Sequence, residues 1–212
     1  MFQIKSFQFS PIQENTYILY NESKYCILID PGCYFEEEKN ELDQFIEQHQ
    51  LLPKMLINTH CHLDHVFGNK FVAAQYALIP MIHPLEKEVL DYAPVSGLMY
   101  DMPFENYEGK IEFLHEGQFI QLGNDTLKVL FTPGHSPGSI SLYCSEQSFV
   151  ISGDVLFFRS IGRTDLPGGN LPTLLKSIKD QLFVLPEDTI VYSGHGQPTN
   201  IGQEKKSNPF IQ

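Results

Sequence analysis

The sequence predicts a mixed α/β fold. Three observations lead there: short segments of alternating apolar residues, stretches with apolar residues at helical spacing, and the order in which they follow one another. Strands come first, then helix, strand, helix, and the pattern runs twice. The first strands fall at Ile4–Phe9, Thr16–Leu19 and Cys26–Ile29. Leu42, Phe45, Ile46 and His49 then repeat at helical spacing, so residues 36–50 should form an amphipathic helix. Its acidic start, Glu36-Glu37-Glu38, suits the positive end of the helix dipole and needs no functional explanation. Met55–Asn58 is the next strand, and residues 64–76 should be a helix. Residues 93–110, punctuated by Pro94, Gly97, Pro103 and Gly109, read as a loop rich in Tyr, Phe and Met. That loop is either a wall of a substrate cleft or a self-packed cover over the core. Strands follow at Gln118–Leu122, Leu127–Phe131, Ile140–Tyr143, Phe149–Ile151 and Thr189–Tyr192. Leu174, Leu175, Ile178 and Leu182 mark a helix starting near Pro172.

The chain is expected to form a single domain over residues 1–212: 42% of it is hydrophobic, and it has neither repeats nor low-complexity tracts. A formal net charge of −12 argues against nucleic acid as a partner. No stretch has the length of a membrane span, and Met1 to Phe7 has no secretory apolar core. Cys26, Cys33, Cys61 and Cys144 show no regular spacing and read as free thiols, so a cytoplasmic location is expected.

The densest chemistry lies in Thr59-His60-Cys61-His62-Leu63-Asp64-His65, directly after the apolar run Met55-Leu56-Ile57. In extended backbone His60 and His62 point the same way while Cys61 faces elsewhere, as a packed small residue. Imidazole and carboxylate together suit zinc, with iron or manganese as alternatives. Three more strand ends carry a His or Asp beside Gly: His135 in Thr132-Pro133-Gly134-His135, Asp154 in Ser152-Gly153-Asp154, and His195 in Gly194-His195-Gly196. Side chains presented on loops by a rigid sheet are the usual arrangement of a catalytic centre. His83, before Pro84, and His115 read as structural or solvated.

These motifs, with Ile29-Asp30-Pro31-Gly32, resemble in kind and order those of the metallo-β-lactamase superfamily, and within it the glyoxalase II-like hydrolases. One departure is Val66-Phe67-Gly68-Asn69, where the family usually continues with paired glycines. The resemblance implies a four-layer αββα sandwich with the site along one edge of two sheets. It implies two divalent metal ions, zinc first: His60, His62 and His135 would hold one and Asp64, His65 and His195 the other. Asp154 would bridge them, and Asp64 and Asp154 would be the catalytic carboxylates. The implied reaction is attack of a metal-bridging hydroxide on a small-molecule thioester such as an S-hydroxyacyl-glutathione.

A thioester fits the residues because its thiol, with a pKa of ~8.5, leaves with little acid assistance, and no spare His or Glu is placed to act as an acid. Arg159 and Arg163 are candidate anchors for a substrate carboxylate, although Arg163 can equally pair with Asp165. The chain has only Lys205 and Lys206 in the tail beyond His195, so activity on S-lactoylglutathione is expected with a high Michaelis constant. The Gly162-Arg163-Thr164-Asp165 element and the Cys between two histidines are also similar to the persulfide dioxygenases. A mononuclear-iron enzyme of that type is therefore the alternative, and a non-catalytic metal-binding module a further one. A β-lactamase is set aside: such enzymes are normally exported, and one major group has Cys where Asp154 stands.

Overall fold

The computed structural model describes residues 1–211. One sheet contains β1 (Gln3–Phe9), β2 (Glu14–Tyr20), β3 (Tyr25–Ile29), β4 (Leu52–Ile57), β5 (Pro80–Ile82) and β6 (Glu112–Phe113), in that spatial order. The second contains β7 (Phe119–Leu122), β8 (Asp125–Phe131), β9 (Ile140–Cys144) and β10 (Phe149–Gly153). After a small hairpin of β11 (Leu156–Phe157) and β12 (Ser160–Ile161), it continues with β13 (Ile190–Ser193) and β14 (Thr199–Asn200). Its spatial order is β14-β13-β10-β9-β8-β7. Each sheet starts as an antiparallel meander and then adds a parallel strand, β4 beside β3 and β13 beside β10.

Side-chain alternation sorts each strand between two cores. Tyr17 and Leu19 of β2 and Ile27 and Ile29 of β3 meet Leu127, Val129, Ile140 and Leu142 between the sheets. The intervening Ile18, Cys26 and Leu28 face outward onto Leu42 and Ile46 of α1 (Glu36–Gln48) and Val72 of α3 (Asn69–Tyr76). On the other side Leu130, Val150 and Val191 pack on Leu174 of α5 (Leu171–Ser177), Ile178 and Leu182 beyond it, and Ile201 of α6 (Ile201–Ser207). The result is the four-layer αββα sandwich.

Three expected elements differ. The helix expected over residues 64–76 is two helices, α2 (Leu63–Val66) and α3, because the Gly68 N–H donates to Pro31 O at 2.7 Å instead of continuing the helical ladder. Residues 93–99 are helix, not loop: they close α4 (Lys87–Met99), which contains Pro94. Proline leaves the carbonyl four residues back without its donor. Here Asn106 Nδ2 supplies it, donating to Leu90 O at 2.6 Å. The helix near Pro172 begins at Leu171, with Asn170 accepting from Thr173 N–H at 2.9 Å, and ends in a π-helical turn over Ile178–Leu182.

All four cysteines are unpaired and buried. Cys61 packs with Val66, Ile82, Leu90 and Ala93. His83 caps the turn at Pro84 and stacks on Phe131, so its role is structural. Among the described residues no helix is long and apolar enough to cross a membrane.

Candidate metal centre

The site forms where β3, β4, β10 and β13 end on one edge of the sandwich. Asp30, the His60–His65 loop, Asp154 and His195 follow these strands, and His135 lies on the loop between β8 and β9. Several contacts fix the loops. Ile140 N–H donates to Thr59 O at 2.9 Å, joining the two sheets. Asn58 Nδ2 donates to His65 O at 2.8 Å, setting the first turn of α2. Asn15 of β2 grips the His195 loop through Nδ2, which donates to Ser193 O and Gly196 O, both at 2.9 Å. Two glycines permit the close approach. A Cβ on Gly194 would lie 2.1 Å from Asp154 Oδ1, and one on Gly153, at φ +53°, would lie 2.3 Å from Thr59 Oγ1.

All seven expected ligand positions converge. His60, His62 and His135 form one cluster and Asp64, His65 and His195 a second; in each the ligand atoms lie within 4.8 Å of one another. Asp154 stands between them, with Oδ2 3.5 Å from His135 Nε2 and 3.6 Å from His195 Nε2, and Oδ1 3.5 Å from His65 Nε2.

The hydrogen-bond network fixes where the lone pairs point. His135 Nδ1–H donates to the carbonyl of Arg163 at 2.8 Å, which leaves Nε2 as a lone pair on the neutral ring. Thr59 Oγ1 gives its proton to Asp30 Oδ2, so it accepts from His60 Nδ1–H at 3.2 Å, and His60 Nε2 is also a lone pair. These two nitrogens face each other at 3.2 Å, and His62 Nδ1 lies 2.8 Å from His135 Nε2. Burial holds all three rings neutral, pushing His60 well down, His62 down to about 3, and His135 down. Three neutral imidazoles, His60 and His135 buried and His62 half-buried, with ligand atoms clustered together, are what a divalent cation requires.

The second cluster has opposite electrostatics. Burial opposes the charged form of His65, but the carboxylates of Asp64, Asp154 and Asp30 outweigh it and raise the ring's pKa. His195 is raised in the same way, against burial, by its contact with Asp64 Oδ2 at 3.1 Å and by Asp154. Asp154 is held well below the usual carboxylate range: His65 leads the charges that overcome its burial. Yet His65 Nε2 and Asp154 Oδ1 are buried without a hydrogen-bond partner. Orphaned buried polar atoms are rare, and a cation held by these carboxylates and imidazoles would satisfy them.

Behind the ligands lies a layer that sequence reasoning did not assign. Asp30, known only from its turn motif, accepts from Thr59 and lies 3.1 Å from His65 Nδ1, although poorly aligned for a hydrogen bond. Asp30, His60 and His65 could by distance hold an ion themselves. The two bonds from Thr59 make Asp30 an orienting group instead. Glu14 is fully buried 3.8 Å from His65 Nδ1, and burial raises its pKa well above normal; it opens a strand whose first three residues, Glu14, Asn15 and Thr16, are all polar, so nothing local marks it out. Glu86 is also buried, accepting from Cys61 N–H at 2.7 Å, Ser136 Oγ at 2.5 Å and Gly138 N–H at 2.6 Å. It ties α4 to the two loops that carry His60, His62 and His135.

The arginines are not in the cluster. Arg163 makes a bidentate pair with Asp165, both bonds 2.7 Å, on the surface. The side chain of Arg159 is exposed, and its backbone N–H donates to Glu204 Oε2 at 3.0 Å. Beside His62 opens a cleft of about 420 Å³. Leu63, Leu85, Val89, Tyr92, Tyr100 and Leu166 supply much of its wall. Tyr92 and Tyr100 thus take the cleft-lining role, while Phe104 packs edge-on against Phe67 and Tyr107 joins the outer core, so both expectations for this segment hold in part.

The chain matches the metallo-beta-lactamase superfamily over residues 10–195. It belongs to that family. This metallo-beta-lactamase superfamily protein is 36% identical over 202 residues to the hydroxyacylglutathione hydrolase GloC of Haemophilus influenzae, spanning 94% of this chain and 93% of that one. The crystal structure of BLEG-1, a B3 metallo-beta-lactamase, superposes with a TM-score of 0.91 at 38% identity, covering 99% of this chain and 100% of that one. TTHA1623, solved in a di-iron-bound form, superposes with a TM-score of 0.87 at 34% identity, covering 97% and 99%.

Proposed function

We propose that the protein is a metal-dependent hydrolase of thioesters, using two divalent ions. The observation that carries this reading is the pair of facing His60 and His135 lone pairs, 3.2 Å apart, beside the orphaned Asp154 Oδ1. His60, His62 and His135 would hold one ion, Asp64, His65 and His195 the other, with Asp154 shared. Ions so held supply a water whose pKa falls towards ~7 and an electrophile for the substrate carbonyl. The chain's own residues do the positioning. Asp30 and Thr59 orient His60, Arg163 O orients His135, and Gln13 O lies 3.2 Å from His195 Nδ1. Among the residues lining the cleft none is placed as a dedicated acid beside the ligand cluster. That favours a thiolate leaving group, whose thiol pKa of ~8.5 needs no proton at the moment of departure.

The similarity to GloC supports a hydroxyacyl-glutathione thioester as one substrate. The BLEG-1 structure favours β-lactam hydrolysis as a second reading, since the same machinery attacks an amide carbonyl. The di-iron form of TTHA1623 keeps iron beside zinc as the native metal.

The test is metal content by mass spectrometry on protein purified without added metal or chelator, followed by parallel assays. Two ions per chain with thioester turnover supports the proposal. Two ions with hydrolysis of a chromogenic cephalosporin and no thioester turnover transfers it to β-lactams. A single iron with oxygen uptake on a glutathione persulfide replaces it with the dioxygenase.

A further inference from the structure

The cleft beside His62 has a chemistry of its own. Aliphatic and aromatic side chains from α4 and from the Leu166-Pro167 turn dominate its lining. Among the described residues that line it there is no Lys or Arg, and the one charged side chain is Glu88, exposed on α4. Arg163, whose carbonyl holds His135, has its side chain paired bidentately with Asp165 on the surface. His62 belongs both to the three-imidazole cluster and to the cleft wall. A carbonyl placed at the ligand cluster therefore has the cleft next to it.

A thioester has two unlike ends. The thiol end of the common biological carriers is polar and carries carboxylates or phosphates, and Glu88 repels those. An unsubstituted alkyl acyl end is apolar, and burying it against Val89, Tyr92 and Leu166 removes hydrocarbon from water. A volume of about 420 Å³ is ample for several carbons.

We propose that this cleft is an acyl-binding site and that the preferred substrates carry an apolar acyl chain of several carbons, not a short hydroxyacyl group. This rests on the thioester hydrolase reading. The reaction is hydrolysis: water adds to the carbonyl carbon, the carbon–sulfur bond breaks, and a carboxylic acid and a thiol leave without any oxidant or reductant.

The experiment is a chain-length series, acetyl to octanoyl, on one uncharged thiol, assayed with the metal-loaded protein beside S-lactoylglutathione. The specificity constant should rise about three- to fourfold per methylene, the equivalent of ~0.8 kcal/mol per buried CH₂, until the cleft is full. Ser96 faces the cleft from α4. S96F should therefore lower the octanoyl-to-acetyl ratio by tenfold or more, and Y92A, at an exposed position outside the core, should lower it severalfold. Binding of a matching series of non-hydrolysable alkyl thioethers, measured by calorimetry, reads the cleft without turnover. Length-dependent binding with no thioester cleaved would keep the cleft assignment and remove the hydrolase reading. Thioester cleavage with a flat length profile, or saturation by S-lactoylglutathione at low micromolar concentration, would overturn the acyl site and leave the hydrolase standing.

Discussion

Asp30 accepts two hydrogen bonds from Thr59, from the backbone N–H at 2.6 Å and the hydroxyl at 2.5 Å, and both residues are buried. The pair settles the His60 tautomer. With the Thr59 proton committed to Asp30, the hydroxyl oxygen can only accept from His60 Nδ1–H, and Nε2 is turned towards His135 Nε2 as a lone pair.

Asp30→Asn should therefore weaken metal binding although Asp30 is not read as a ligand. One of its two acceptor oxygens becomes a donor facing Thr59. A loss of ~10–100-fold in metal affinity is expected, the usual cost of an orienting partner. Titration against a competing chelator measures it, and unchanged affinity would remove Asp30 from the orienting layer.

Asp154→Asn should cost more than that. If Asp154 is shared by two ions as proposed, the neutral amide cannot replace its charge, so the variant should retain fewer ions per chain and lose turnover by more than the ~10–100-fold expected for outer-layer changes. Mass spectrometry of the purified variant beside the wild type is the check.

Chelation should destabilise the protein as well as silence it. A ligand at 100 times its Kd adds about 2.7 kcal/mol to stability. For a chain of this size that corresponds to roughly 5–10 °C in Tm. A melting curve unmoved by removing and restoring metal would mean that the cluster does not bind an ion in the folded state.

Glu86→Gln probes the strut between α4 and the ligand loops. Burial raises the Glu86 pKa, and the hydrogen bonds from Ser136, Cys61 and Gly138 only partly offset this. The folded-state value lies above the unfolded one, so its contribution to stability is present below the unfolded pKa and is lost as pH rises through the folded pKa. Gln does not titrate. The unfolding free energy of wild type minus variant should thus fall as pH rises from about 4 towards neutrality. At the same time the amide nitrogen faces donors, leaving at least one unsatisfied at ~1–3 kcal/mol. Urea unfolding at two pH values tests both signs.

Arg163→Ala should be nearly silent. Its pair with Asp165 is solvent-exposed, a geometry worth ~0–1 kcal/mol, and its side chain belongs neither to the ligand clusters nor to the cleft lining. A large rise in the Michaelis constant for glutathione thioesters would show that it exchanges Asp165 for substrate.

The seven ligand-type residues were legible because each sits in a short local signal: a dense His/Asp run after an apolar strand, or a His or Asp beside Gly at a strand end. Strand alternation also foretold that Cys61 would pack away from His60 and His62, as it does against Val66, Ile82, Leu90 and Ala93. Such signals are local, and the sequence by itself carries them. What it did not carry were relationships between distant segments. Pro94 reads as a helix breaker, and only Asn106, donating to Leu90 O at 2.6 Å, makes the helix through it possible. Glu14, Glu86 and the orienting role of Asp30 leave no spacing pattern, because each acts on a residue 25 or more positions away in the chain. The cleft beside His62 likewise exists only once α4 and the Leu166 turn are brought together. Sequence determined which groups could bind a cation; the packing of two sheets determined which way their lone pairs point and what stands next to them.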